Sequence, residues 1–479
     1  MPSLPYPRKS RNILGFSALG VAVVLGVMGA YGAGVTIGEL SEGSSTQTGE
    51  SDLETVAPAS SSRTVPQVAS AALAIPTCSI SSLLDSDSLG NFSGIVVDPL
   101  TNDILFGRGA DTLLPPASVN KIVTGAAALS ALGPDTTFPT TTLAIDDPEV
   151  LILRAGGDLT LSSTPDGEES VYVGAAKISD LAEQTIATLE ASLPEDDEVT
   201  IRELVVDVSL WNAEDNWRDA WASSARTRGY ISRITPLQID GDRFNPDAVM
   251  GQRSGDPVSR AASAFVTAMR QAGNSARYVS VSYDVTPEDA RPVASVSSRP
   301  VSELVTYMMK ESDNTLAEML GRHISLAQGF NGSGDSVGEA LLSSLAHLGI
   351  SDDGIFLDDA SGLSQDNQVT PEFITGLLSE VYRSDGDIGL LAEALPIGGV
   401  DGSLDDRFQG ANAIAQGKVF AKTGSIQGTR SLAGWVTAED GSDLVFAFFA
   451  HGEVSDEARG ALETVVVGAY SCGANLADF

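Results

Sequence analysis

The segment LPPASVNKIVTGAAALSALGPD (Leu114–Asp135) opens on two prolines, continues as an apolar run and stops at Gly133-Pro134. Proline ahead of the run and Gly-Pro after it are start and stop signals, so the segment predicts a helix beginning near Ser118. Ser118 and Lys121 are three residues apart, which puts hydroxyl and ammonium on one helix face. A serine hydroxyl is a weak nucleophile until a base takes its proton, and a lysine serves as that base when burial or a second cation lowers its pKa. The helix N-terminus adds N–H dipoles for a developing oxyanion. Taken alone, the pair also fits a helix-start serine followed by a surface lysine.

Two further groups lie downstream. Ser312-Asp313-Asn314 interrupts the apolar-periodic run YMMKESDNTLAEML within a long helical stretch, Val301–Leu326. Small polar residues are unfavourable inside a helix, so the same text fits a polar turn between two helices. Lys422-Thr423-Gly424-Ser425 follows VFA and precedes the strand-like LAGWVT and LVFAFFA. A cation and a hydroxyl on a strand, followed by glycine, would let a carboxylate-bearing substrate lie against the strand edge, whereas an ordinary strand end with a solvated lysine is the plain alternative. Lysine is scarce, limited to Lys9, Lys121, Lys177, Lys310, Lys418 and Lys422, so two lysines in such contexts carry weight.

The 479 residues hold 64 acidic and 28 basic side chains, a formal charge of −36. Nucleic acid is thereby excluded as a partner, because phosphate binding needs a basic footprint. Arg8, Lys9 and Arg11 precede an uncharged run whose apolar heart, Ile13–Val35, is 23 residues. As a helix it would span about 35 Å, enough for the ~30 Å hydrocarbon core. Basic residues ahead of the run send the rest of the chain outside the cytoplasm. Residues 1–38 therefore read as a membrane anchor or a signal peptide; the length favours an uncleaved anchor, although Ala30-Tyr31-Gly32 offers a weak cleavage site. Residues 39–75, including SEGSSTQTGESDLETVAPASSSRTVPQ, read as a disordered acidic linker. Cys78 and Cys472 are the only cysteines and bracket the remainder. Outside the cytoplasm they suggest a disulfide joining the ends, with two free buried thiols as the alternative. No CxxC or HExxH occurs and His323, His347 and His451 are scattered, so neither a metal site nor a cofactor is expected.

SGIVVDP (Ser93–Pro99) and DILFGRG (Asp103–Gly109) flank a Pro-Leu-Thr-Asn turn and predict a hairpin. From about Thr140 the character changes, with strand-like EVLILRAGG and VTIRELVVDVSLW and helices over Ala175–Ala191 and Pro257–Gly273. Helices return from Pro300, among them Gly338–Leu348 and a terminal Ser455–Tyr470. This order predicts an α/β domain, residues 76–142 and 294–479, interrupted by a large inserted α+β domain over 143–293.

SxxK, SDN and KTG, in that order, form the joint signature of penicillin-binding proteins and class A β-lactamases. With ESDNTLAEML (Glu311–Leu320), DDASGLSQDNQVTP (Asp358–Pro371), LPIGGVDGSLDDRF (Leu395–Phe408) and AKTGSIQGTRSLAGWV (Ala421–Val436), the chain resembles the D-alanyl-D-alanine carboxypeptidase/endopeptidase family of low-molecular-mass class C penicillin-binding proteins. The resemblance runs from about Cys78 to Cys472. Ser118 and Ser312 lie 194 residues apart, which matches the family's insertion between its first two motifs, and GGDLTL (Gly156–Leu161) and LVVDVSLW (Leu204–Trp211) resemble its text. The insertion is shorter than in the longest members, so a nested subdomain near 165–199 or 246–257 is reduced or missing.

The resemblance implies a β-lactamase/transpeptidase-like domain, an antiparallel sheet flanked by helices. It implies a serine D-Ala-D-Ala carboxypeptidase or endopeptidase acting on peptidoglycan stem peptides outside the cell membrane, with β-lactams as covalent inhibitors. Ser118 would be the nucleophile and Lys121 its base. Ser312 would relay a proton to the departing amine, and Asn314 would hold the substrate amide and Lys121. Lys422 and Thr423 would bind the terminal carboxylate, with Lys422 also repelling the charge on Lys121, and N–H groups of Ser118 and Ser425 would form the oxyanion hole. Asp207 would receive the free amine of the stem side chain; as an aspartate after a strand it also fits a turn. One rival is a β-lactamase, which needs an added carboxylate base; Glu372, Glu380 and Glu393 lack the Leu-Asn that should follow it. Another is a non-catalytic wall-binding protein, against which the intact motifs speak.

Overall fold

The computed structural model describes residues 77–477. The expected anchor or signal and the acidic linker lie outside them. Among the described residues no helix is long and apolar enough to cross a membrane.

The chain enters on the predicted hairpin, β1 (Asn91–Val97) and β2 (Ile104–Arg108). The Asp98 carboxylate fastens its turn by accepting from the Leu100 N–H at 2.8 Å. A 3-10 turn, Ala117–Val119, leads into α1 (Asn120–Leu132), whose first ten residues are all buried. Its glycine and alanines let neighbouring helices close around it on every side. β3 (Pro139–Ala144), β4 (Val150–Arg154), α2 (Ile178–Glu190), β5 (Glu203–Asp207), α3 (Pro257–Ala272), β6 (Ser280–Tyr283) and β7 (Arg291–Ser297) follow. Next come α4 (Val301–Glu311), α5 (Asn314–Ala327), α6 (Gly334–Leu345), α7 (Pro371–Arg383) and the short α8 (Leu391–Ala394). β8 (Val419–Ile426), β9 (Thr429–Thr437), β10 (Asp443–His451) and α9 (Glu457–Cys472) complete it.

Two five-stranded sheets result. The first, β2-β1-β10-β9-β8, is antiparallel throughout and joins the start of the described chain to its end. Phe446, Phe448, Leu432 and Val436 from this sheet share a core with Leu462, Val465 and Val466 of α9. Burying each of those phenylalanines is worth about 1.5–3 kcal/mol. The opposite face packs on the helical cluster around α1, where Ala433, Val445, Ala447 and Phe449 meet residues of α1 and α7. The second sheet, β6-β5-β4-β3-β7, is mixed: β4–β5 and β5–β6 are parallel, and β3 is antiparallel to both neighbours. Helices α2 and α3 supply the crossovers that parallel pairing requires. Leu181, Ile186, Phe265 and Met269 pack from them onto Leu151, Leu153, Leu204 and Val206.

The expected helix over Val301–Leu326 is two helices. Ser312 adopts a left-handed backbone (φ 56°) and ends α4, and the Asp313 side chain caps α5. The apolar period continues on both sides of the break, so periodicity alone does not reveal it. Cys78 and Cys472 form a disulfide, with Cα atoms 5.4 Å apart. Backbone bonds from Cys78 N–H to the Asn475 carbonyl and from Ala477 N–H to the Cys78 carbonyl hold the two ends side by side.

Candidate active site

Pro115 and Pro116 fix the approach to the first motif, and Ala117 takes a left-handed φ of 50° that turns Ser118 onto the end of α1. Lys121 is fully buried. Its Nζ donates to Ser118 Oγ at 3.1 Å, to Asn314 Oδ1 at 2.6 Å and to the Ser361 carbonyl at 2.6 Å. Those three partners occupy the three protons of an ammonium. In the neutral amine, Asn314 Oδ1 and the Ser361 carbonyl still need donors, so the lone pair is left facing Ser118 Oγ. Burial lowers Lys121 to a pKa of about 8, against the pull of Asp359, Glu318 and Asp313.

Lys422 is also fully buried and donates to Ser312 Oγ at 2.9 Å and to the Thr423 carbonyl at 3.0 Å. Burial, and then the Lys121 charge, push it well below the ordinary lysine range. The two cations cannot both be comfortable in one desolvated site. The repulsion bears on Lys422, whereas burial is what lowers Lys121. Thr423 Oγ1 donates to Ser403 Oγ at 3.1 Å, and Arg459 donates to Ser425 Oγ at 3.2 Å.

Glycine has a geometric reason at two places. A Cβ on Gly424 would sit 2.7 Å from the Pro116 carbonyl, so its absence lets β8 close against the Ser118 turn. A Cβ on Gly362, where φ is +79°, would come within 1.8 Å of the Ala117 carbonyl on the other side. The Ser118 turn is thus clasped between β8 and the loop 358–367. The Ser431 hydroxyl, donating to the Pro116 carbonyl at 2.7 Å, adds to the clasp.

Sequence reasoning left that loop's scaffold unassigned. Asp359 accepts from Gly362 N–H and Ser364 N–H, both at 2.7 Å, from Asn367 Nδ2 at 2.9 Å and from the Trp221 indole at 2.8 Å. Glu318, one turn after Asn314 on α5, accepts from the N–H groups of Ala360 (3.1 Å) and Ser361 (2.8 Å). It thereby aims the Ser361 carbonyl at Lys121. Burial, with the Asp359 charge added, raises Glu318 to about 8. A glutamate inside the apolar TLAEML, four residues from Asn314, was the available signal.

A cleft of about 690 Å³ is lined by Ser118, Ser312, Asn314, Thr423 and Ser425, with Tyr230, Arg430 and Arg459 on its walls. Asp207 is not brought to it. Its carboxylate accepts from Ser209 N–H at 2.9 Å and from Thr286 N–H at 2.9 Å and Oγ1 at 2.5 Å. Burial pushes Asp207 up, but the Thr286 and Ser209 donors outweigh it and hold the group below the usual carboxylate range. One bond closes the local turn at Ser209, and two tie the end of β5 to Thr286.

The D-Ala-D-Ala carboxypeptidase 3 (S13) family model matches residues 77–277 and 251–469. Carboxypeptidase DacB of Mycolicibacterium smegmatis is 32% identical over 401 residues, covering 82% of this chain and 83% of the relative. The D-alanyl-D-alanine carboxypeptidase of Actinomadura sp. is 28% identical, covering 78% and 80%. The crystal structure of penicillin binding protein 4 (dacB) from Haemophilus influenzae shares the fold, with a TM-score of 0.66 at 22% identity over 82% of this chain and 98% of that one. The chain, a serine-type D-Ala-D-Ala carboxypeptidase by its descent, belongs to the S13 family.

Proposed function

We propose that Ser118 attacks the carbonyl between the two terminal D-alanines of a peptidoglycan stem peptide, its proton passing to Lys121. The lone pair of neutral Lys121, left facing Ser118 Oγ once its other two bonds are made, carries this reading. The oxyanion meets the N–H groups of Ser118 and Ser425, an arrangement typically worth ~3–4 kcal/mol per donor. The C–N bond then breaks and the departing amine takes a proton through Ser312, which Lys422 holds in place. Water hydrolyses the Ser118 ester. Thr423 and Lys422 receive the terminal carboxylate, beside Ser425 and the Arg459 that donates to it. Asn314 holds the substrate amide.

A β-lactam enters by the same step and stays as a slowly released acyl group. Glu372, Glu380 and Glu393, the carboxylates between the second and third motifs considered for rapid release, line no part of the cleft. The enzyme works outside the cytoplasm, held by the apolar run of residues 13–35, as a catalytic body of 76–142 and 294–479 around an insertion of 143–293. Endopeptidase action on cross-linked stems uses the same residues, because only the group on the leaving side differs. The test is intact mass after fluorescent penicillin, followed by mass spectrometry of monomeric and cross-linked muropeptides. An adduct on the native chain and none on Ser118→Ala is expected. An undiminished adduct on Ser118→Ala refutes the nucleophile.

A further inference from the structure

Between Ser312 and Asn314 stands Asp313, turned to other partners. Its Oδ1 accepts from Leu316 N–H at 3.0 Å, and its Oδ2 accepts from Arg243 at 2.7 Å and from the Tyr172 hydroxyl at 3.0 Å. Arg243 also donates to the Tyr172 oxygen at 2.8 Å and to the Asp240 carbonyl at 3.2 Å. Arg243 is 1% and Asp313 6% exposed. Tyr172 and Arg243 both come from the stretch between β4 and α3, far from the second motif in sequence.

The same stretch holds the next two residues. Asn314 Nδ2 donates to the Tyr230 carbonyl at 3.0 Å, and Ser232 N–H donates to Thr315 Oγ1 at 3.1 Å. The Tyr230 contact has a consequence for the amide. A backbone carbonyl accepts only, so Nδ2 must face it and Oδ1 must face Lys121. Reversal would set an N–H against the Lys121 protons.

We infer that Arg243, acting through Asp313, is a positioning residue: it fixes the bend that aims Ser312 at Lys422 and Asn314 at Lys121. The inference rests on the roles proposed above for those four residues. The insertion then takes part in building the site.

A purely structural ion pair would influence stability alone, whereas this one also influences titration. The groups facing Lys121 are Asp359, Glu318 and Asp313, with Lys422 across the site. Arg243, with the buried Arg253 beside it, offsets the Asp313 charge, which otherwise favours protonated Lys121; Arg243 is the one of the two hydrogen-bonded to Asp313. Removing the guanidinium should therefore move the acid limb of the acylation rate to higher pH.

The experiment measures the second-order rate of Ser118 acylation by fluorescent penicillin from pH 6 to 10, on the full chain and its variants. Arg243→Met is expected to be about 10–100-fold slower, the usual result of misplacing catalytic groups by an ångström or less, with its acid limb at higher pH. Arg243→Lys should recover part of both. Adding Asp313→Asn to Arg243→Met should return the limb without the rate. A wild-type rate with an unmoved limb in Arg243→Met overturns the inference, as does a loss that only tracks falling thermal stability. If Arg243→Met does not fold, Asp313→Asn decides: slower acylation with the limb at lower pH supports the inference, and a wild-type rate overturns it. No adduct on the wild type, or an adduct on Ser118→Ala, refutes the site itself and is distinguishable from these outcomes.

Discussion

Lys121 shows how the surroundings of one side chain change its titration. Free lysine is protonated at neutral pH, and no neighbour close by in sequence alters that. Burial brings Lys121 down to about 8, so the free base dominates above that value and is the minority below it. Acylation of Ser118 should therefore climb about tenfold per pH unit up to roughly pH 8 and level off beyond. A profile flat between pH 6 and 9 would remove Lys121 from the base role. Glu318 and Asp359 act at one remove, since they shape the backbone that presents the Ser361 carbonyl to Lys121. The contact of Ser118 with Lys121 was legible because the two lie within one helical turn. Glu318 and Asp359 were not, because their partners, loop N–H groups and for Asp359 also the Asn367 amide and the Trp221 indole, are brought near only by the fold.

At the scale of elements, the site is where three separate pieces meet. α4 ends at Ser312, α1 starts after Ser118, and β8 runs past Lys422 to Ser425. The hairpin and the terminal strands were plain from their alternation and turn residues. The α4–α5 break was hidden, because one left-handed residue and one capping aspartate redirect the chain without disturbing its apolar period. Loop 358–367 reaches the Ser118 turn through Gly362, and a side chain there would collide with the Ala117 carbonyl. Gly362→Ala should cost at least ~1 kcal/mol from backbone strain alone, and more from the collision. It should also slow acylation by about 10-fold or more as the turn shifts. Gly349→Ala is the control: φ there is +68° with open space around a Cβ, so it should lower the unfolding midpoint modestly and leave acylation unchanged.

For the whole molecule, the sheet that carries Lys422 is built from both ends of the described chain, since β1 pairs with β10. Its integrity depends on holding those ends together, and Cys78–Cys472 does so across a sequence separation of 394. Changing both cysteines to serine should lower stability by about 2–5 kcal/mol. Acylation at low temperature should persist, because neither sulfur belongs to the cleft. A denaturant midpoint unchanged by the double substitution would deny the bridge this role. Outside a cell, where proteases cut exposed turns, the bridge has another effect. It turns the span from 78 to 472 into a covalent ring. A single nick anywhere within the ring opens it without releasing a fragment, so both halves of the site stay on one molecule.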